Sequence, residues 1–253
     1  MKEKNAETIG TNKTRVLCTA DMHGGHKALV QVLQRSNFNY EEDTLICLGD
    51  VADGWEDVPQ CFDELLKVKH LVYVLGNHDE WLCEYLKFGL TPQIWLSQGG
   101  RATCDAYQQV DQPTKDKHLE LLTNAPFYYV LNTDSGTKVF IHGGFNWKKP
   151  IEETSNSDLM WDRHLWSTAV YWNHSFRPSG KMPKVQQYDE VFIGHTSTSY
   201  EYPSLEPVHM SNVWNLDQGG GGCGKLTIMD VSTHEYWQSD KLCDLYDYVH
   251  WRK

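Results

Sequence analysis

The residues of this chain most able to do chemistry come in short clusters: Asp21-Met-His23, Gly49-Asp50-Val-Ala-Asp53, Gly76-Asn77-His78-Asp79, His142-Gly-Gly144 and Gly194-His195-Thr196. Together they offer carboxylate, imidazole and amide donors and no thiolate. That donor set suits hard or borderline divalent ions such as Mn, Fe, Zn or Mg rather than a structural zinc site. Any one cluster alone reads as a turn or a cap, because a lone Asp-x-His or His-Gly-Gly is common. The weight lies in their order and in where each one falls: directly after an apolar run.

Those runs are the elements that must position the clusters. Residues 15–20 (RVLCTA), 44–48 (TLICL) and 71–75 (LVYVL) read as buried strands. Between them, Lys27 to Arg35 carries Ala28, Leu29, Val32 and Leu33 at helical spacing, and Asp57 to Val68 turns Phe62, Leu65 and Leu66 inward. Alternating strand and helix makes the class α/β and the strands parallel. Right-handed crossovers then bring all three strand C-terminal ends to one edge of the sheet, where open α/β sheets bind ligands.

The second half is richer in strands, expected at 127–131, 138–141, 190–193, 213–216, 226–231 and 235–238. Two of them run into His142 and His195, which should reach the same rim. Between these, roughly Asn146 to Gln187 reads as an irregular, aromatic cap over the site, with Trp147, Trp161, Trp166, Tyr171 and Trp172. Gly219 to Gly222 reads as a turn between two strands. The expected organisation is a polar N-terminal arm over 1–14, then one domain over 15–253 with the cap-like insertion at about 146–187.

Composition narrows the function. With 40% hydrophobic and 23% charged residues the chain is of the globular type, and its net charge of −11 leaves no basic surface to clamp duplex nucleic acid. A small anionic substrate remains compatible, since bound divalent cations invert the sign of a local site. The seven cysteines are odd in number, scattered and without a CxxC pair, so they read as reduced thiols. Met1 to Arg15 lacks the apolar stretch of a signal peptide, and no run approaches the roughly 20 apolar residues of a membrane span. The expected location is the cytoplasm, with no membrane partner.

Taken in order, the clusters resemble the signature of the calcineurin-like metallophosphoesterases, over roughly Val16 to Val231. Within that superfamily the chain is most similar to the protein-phosphatase branch, including the bacteriophage-lambda type phosphatases, and to the symmetrical diadenosine tetraphosphate hydrolases; Met160-Trp-Asp-Arg163 and Cys223-Gly224 add to the likeness. The resemblance implies a four-layer β-sandwich flanked by helices, with the metal site at strand C-terminal ends. It assigns Asp21 and His23 to one divalent ion, Asn77, His142 and His195 to a second, and Asp50 to a bridge between them, with manganese foremost. A hydroxide bridging the ions is the implied nucleophile, attacking phosphorus in line. His78 would protonate the leaving oxygen, Asp53 would hold its imidazole in the productive tautomer, and Arg163 with Asn77 would bind phosphate oxygens.

Two departures stand out. The phosphatase branch usually carries Arg after the second Asp and before Gly-Asn-His, where this chain has Gly54 and Leu75; Arg101 or Lys181 could substitute. Asp79 in place of Glu leans toward the dinucleotide hydrolases, whereas Asp53 leans toward the phosphatases. The expected function is a phosphomonoesterase acting on phosphoserine, phosphothreonine, phosphotyrosine or small phosphate monoesters. The alternatives are dinucleoside polyphosphate hydrolysis, with cap aromatics stacking on a base, and a metal-binding interaction module without turnover. His26 reads as an ordinary exposed residue.

Overall fold

A computed structural model describes residues 7–8, 14–176, 180 and 182–247. Most of the expected N-terminal arm, and Lys181, lie outside them. Two sheets form the centre. The first has the order β11-β10-β2-β3-β4, with β2 (Val16–Thr19), β3 (Thr44–Cys47), β4 (His70–Tyr73), β10 (Thr227–Asp230) and β11 (Tyr236–Gln238). The second has the order β1-β5-β6-β7-β9-β8, with β1 (Glu7–Thr8), β5 (Tyr128–Thr133), β6 (Gly136–Ile141), β7 (Glu190–Ile193), β8 (Val208–Met210) and β9 (Val213–Asn215).

Strands β2, β3 and β4 are parallel and in register, Leu17 opposite Leu45 and Leu45 opposite Leu71, as the βαβ pattern requires. In the second sheet β6, β7 and β9 are also parallel. The apolar runs are continuous because both faces of each sheet are covered. Val16, Cys18, Ile46 and Leu48 point to one side and meet Leu131, Phe140 and Phe192 of the other sheet. Leu17, Leu45 and Cys47 point the other way, against α1 (His26–Arg35) and α2 (Val58–Leu65). Four layers result.

The stretch left unassigned between β4 and β5 is helical: α3 (Asn77–Phe88), α4 (Gln93–Trp95), a π-turn over Leu96–Gly100, α5 (Arg101–Gln108) and α6 (Gln112–Asn124). Residues 146–187, expected to be irregular, contain α7 (Asn156–Trp161) and α8 (His164–Phe176). Their side chains Leu159, Leu165, Trp166 and Ala169 pack on Val139, Ile141, Val191 and Ile193, forming the outer layer on the second sheet. A short α9 (Leu242–Leu245) closes the described chain. All seven cysteines are free, and no described helix is long and apolar enough to cross a membrane.

Candidate active site

The five clusters converge. Asp21 and His23 follow β2, Asp50 follows β3, Asn77 opens α3 after β4, His142 follows β6, and His195 follows β7. All six side chains are buried. Ligand atoms of Asp21, His23 and Asp50 lie within 4.8 Å of one another, as do those of Asp50, His142 and His195, so Asp50 is common to both groups. Asn77 joins the second, its Oδ1 being 3.0 Å from His142 Nε2.

Backbone strain is concentrated here. Asp21, His23, Asp50, Asp53 and His195 all have φ between 45° and 73°, in the left-handed region that costs an ordinary residue about 1–3 kcal/mol. What holds them is a dense set of hydrogen bonds from behind. Both oxygens of Asp21 accept from His195 N–H at 3.0 Å. Asp50 Oδ1 accepts from His78 N–H at 3.0 Å, which leaves Oδ2 facing His142 Nε2 at 3.2 Å and His23 Nε2 at 3.9 Å. The Gly-Asn-His cluster needs its glycine because a Cβ on Gly76 would fall 2.2 Å from Asp50 Oδ1.

The donor chemistry fits cations. His142 Nδ1 donates to the Leu48 carbonyl at 2.7 Å and His23 Nδ1 to that of Ala52 at 3.0 Å, which fixes both tautomers and aims Nε2 lone pairs inward. In a neutral His142, Nε2 then faces oxygens of Asp50 and Asn77 with no hydrogen between them, a cluster of lone pairs that only a proton or a cation can reconcile. Burial works to keep His142 neutral, yet Asp50, Asp21 and the Leu48 carbonyl outweigh it and push its pKa up to about 10. Burial, reinforced by the charge of His142, drives His195 down to about 2, so it keeps a lone pair to give. Burial and the nearby carboxylates of Asp217 and Asp50 raise the pKa of Asp21. The pocket is short of positive charge, which divalent ions would supply.

Beside this centre stand His78 and Asp53. His78 Nδ1 donates to Asp53 Oδ2 at 2.6 Å, and both side chains are buried. Asp53 does not cap α2, whose N-cap is Asp57. Arg163 is not paired with Asp158 or Asp162; its Nε donates to His195 Nε2 at 3.2 Å. His26 is half-buried, lies 3.7 Å from Glu64, and is not part of either ligand group around Asp50.

Arginine is not simply exchanged for something equivalent at the two departing positions. Gly54 is buried at φ 86° and Leu75 is buried, so neither site presents a side chain to a phosphate. Arg101 sits exposed at the start of α5.

Several contributors escaped sequence reasoning. Asp79 was read as a hint about substrate, but its carboxylate anchors backbone: Oδ2 accepts from Asp50 and Gly76 N–H at 2.8 and 3.1 Å, and Oδ1 from Val51 and Ala52 N–H at 3.0 Å. The available signal was its place at the third residue of a helix beginning after Gly76, where a carboxylate reaches back to the cap. Trp81 lies edge-on to His78, with ring centroids 5.2 Å apart, and Trp161 spans from Trp81 (5.4 Å) to His195 (5.9 Å). Of the cap aromatics, Trp166 is core and Trp147 packs on His164 and Trp172; Trp161, 41% exposed, is the one beside the ligands.

Comparison with known proteins bears on the fold and the family. The chain is 23% identical over 224 residues to serine/threonine-protein phosphatase 1 of Salmonella typhimurium, covering 87% of this chain and 93% of that one. Its fold is similar to that of a candidate diadenosine tetraphosphatase (TM-score 0.64, 17% identity, 92% of this chain and 96% of the other). It is also similar to the cold-active protein-tyrosine phosphatase of a psychrophilic Shewanella (TM-score 0.54, 11% identity, 90% and 81%). The sequence model of the calcineurin-like phosphoesterases matches residues 14–203. With that match and this site, the chain belongs to the calcineurin-like phosphoesterase family and is a phosphoric ester hydrolase.

Proposed function

We propose that the chain is a two-metal phosphomonoesterase of the protein-phosphatase kind, hydrolysing phosphoserine, phosphothreonine or phosphotyrosine side chains or small phosphate monoesters in the cytoplasm. The observation that carries this reading is the buried His78–Asp53 pair set against the shared carboxylate Asp50. Divalent ions held by Asp21, His23 and Asp50 and by Asp50, Asn77, His142 and His195, with manganese the first to test, would supply Lewis acidity and an activated water nucleophile near neutral pH.

The chain's own groups do the rest. Arg163, at the rim beside His195, grips phosphoryl oxygens with a planar guanidinium, and Asn77 shares in orienting them. With Nδ1 engaged by Asp53, His78 gives up a proton from Nε2 to the ester oxygen as the P–O bond breaks. The alcohol then leaves with its O–H formed, and solvent reprotonates His78. Asp53 keeps the imidazole in the tautomer and plane this transfer needs.

A second reading, hydrolysis of dinucleoside polyphosphates, has one specific observation in its favour: the half-exposed Trp161 beside His195, a surface on which a base could stack. Side-by-side assay of metal-stripped protein reloaded with manganese, on an aryl phosphate, a phosphopeptide and diadenosine tetraphosphate, separates the two. Preference for either monoester supports the phosphatase, and preference for the dinucleotide replaces it with the second reading. Two bound ions without turnover on any of the three would leave a binding module.

A further inference from the structure

We propose that Trp95 and Thr103 are positioning residues for proton donation: they clamp the Asp53 carboxylate and, through it, hold His78 where it can protonate the departing oxygen. This rests on the His78–Asp53 reading above.

The clamp has three donors. Trp95 Nε1 is shared between Asp53 Oδ1 and Oδ2 at 2.9 and 2.8 Å, so the indole N–H bisects the carboxylate. Thr103 Oγ1 donates to Oδ1 at 2.7 Å and accepts from Asp53 N–H at 3.0 Å. His78 supplies the third at 2.6 Å. Asp53, Trp95 and Thr103 are all fully buried, so water does not compete for these bonds.

Two features of Asp53 make such a clamp necessary. Its terminal torsion is broad, so one bond to His78 leaves the carboxylate plane undetermined. Its backbone sits at φ 73°, and the reciprocal bond with Thr103 ties that strained segment in place. All three donors favour the ionised carboxylate, opposing the burial that raises its pKa.

The elements carrying the clamp are shaped for it. Trp95 ends α4, Thr103 lies in α5, and the π-turn Leu96–Gly100 joins them. The indole lies flat against Gly100, where a Cβ would come 2.6 Å from the ring. A packing indole needs one acceptor for its N–H; this one takes both oxygens of a single carboxylate, the partner of His78.

The test uses manganese-loaded protein, with phenyl phosphate and p-nitrophenyl phosphate compared by kcat and KM, and thermal melting alongside. Phenolate is the stronger base and needs the proton; p-nitrophenolate leaves without it. Trp95→Phe and Thr103→Val should each lower kcat on phenyl phosphate on the order of 10-fold, part of the roughly 10²–10⁴-fold that a general acid contributes. Losses on p-nitrophenyl phosphate should be several-fold smaller, KM should hold, and Thr103→Ser should recover most of the rate.

Equal losses on the two esters, or a Thr103→Ser variant no better than Thr103→Val, would overturn the proposal. The Thr103 pair decides the matter if Trp95→Phe does not fold. His78→Asn is the reference. If it shows the leaving-group difference and the clamp variants do not, the positioning role falls alone; if it shows none, the acid role of His78 falls and the clamp with it.

Discussion

The floor of the site and its rim are built on opposite plans. On the floor, Asp21, His23, Asp50, Asn77 and His142 are buried, strain is concentrated, and backbone N–H and C=O groups hold the side chains from behind. At the rim, Trp161 is 41% exposed and Tyr200, by the Gly219–Gly224 turn, is 90% exposed. A floor so constrained fixes a reaction class, whereas a rim of exposed side chains can vary without disturbing it.

The largest blow to the floor should come from Asp50→Asn, which removes the carboxylate common to both groups. Activity is expected to fall well beyond the roughly 10–100-fold typical of losing a supporting partner, with metal content measured by atomic emission falling too. His78→Asn should lower turnover on unactivated esters by roughly 10²–10⁴-fold while leaving metal content unchanged. That separation of binding from proton transfer sharpens the division within the floor.

Asp79→Asn strips the charge from the acceptor of four backbone N–H groups. It should cost about 1–3 kcal/mol in denaturant unfolding and weaken metal affinity by roughly 10–100-fold. If Asp79→Asn instead altered only substrate preference, the floor-and-rim contrast would break.

Trp161→Ala should barely change turnover of an aryl phosphate. If the second reading is right it should raise KM for diadenosine tetraphosphate in proportion to a lost base stack, about 1–3 kcal/mol.

The smallest effect lies away from both regions. His118 is buried between Tyr107, at 2.9 Å, and Asp63, at 3.1 Å; burial lowers its pKa, and the bond to Asp63 opposes this. Folded protein therefore binds this proton less readily than unfolded chain. Stability from this source is complete above the unfolded value of about 6.5 and declines as pH falls below it toward the lower folded value. His118→Gln should flatten that slope in unfolding measured from pH 7.5 to 5, with activity at pH 7.5 unchanged.

What was legible in the sequence follows the same division. Asp21, Asp50, Asn77, His142 and His195 each end an apolar run, and parallel topology forces such ends onto one edge. Trp95 and Thr103 were not legible, because their role arises only when α4 and α5 dock on a residue 42 and 50 positions earlier. Trp161, which ends α7, and Asp162-Arg163 after it fall in a stretch whose sequence reads as an irregular cap. In α8 Leu165, Trp166 and Ala169 share one buried face, but apolar residues such as Tyr171 and Phe176 are exposed, which blurs the stripe in the sequence. The short strands β1 and β8 left too few residues for a period to show.

Metal titration tests whether Asp50 unites two cation sites into one catalytic centre. Metal-stripped protein should take up two manganese ions per chain, with turnover appearing only as the second binds, and Asp50→Asn should bind fewer and stay inactive. Full turnover with a single ion, or an Asp50→Asn variant that binds two and works, would contradict it.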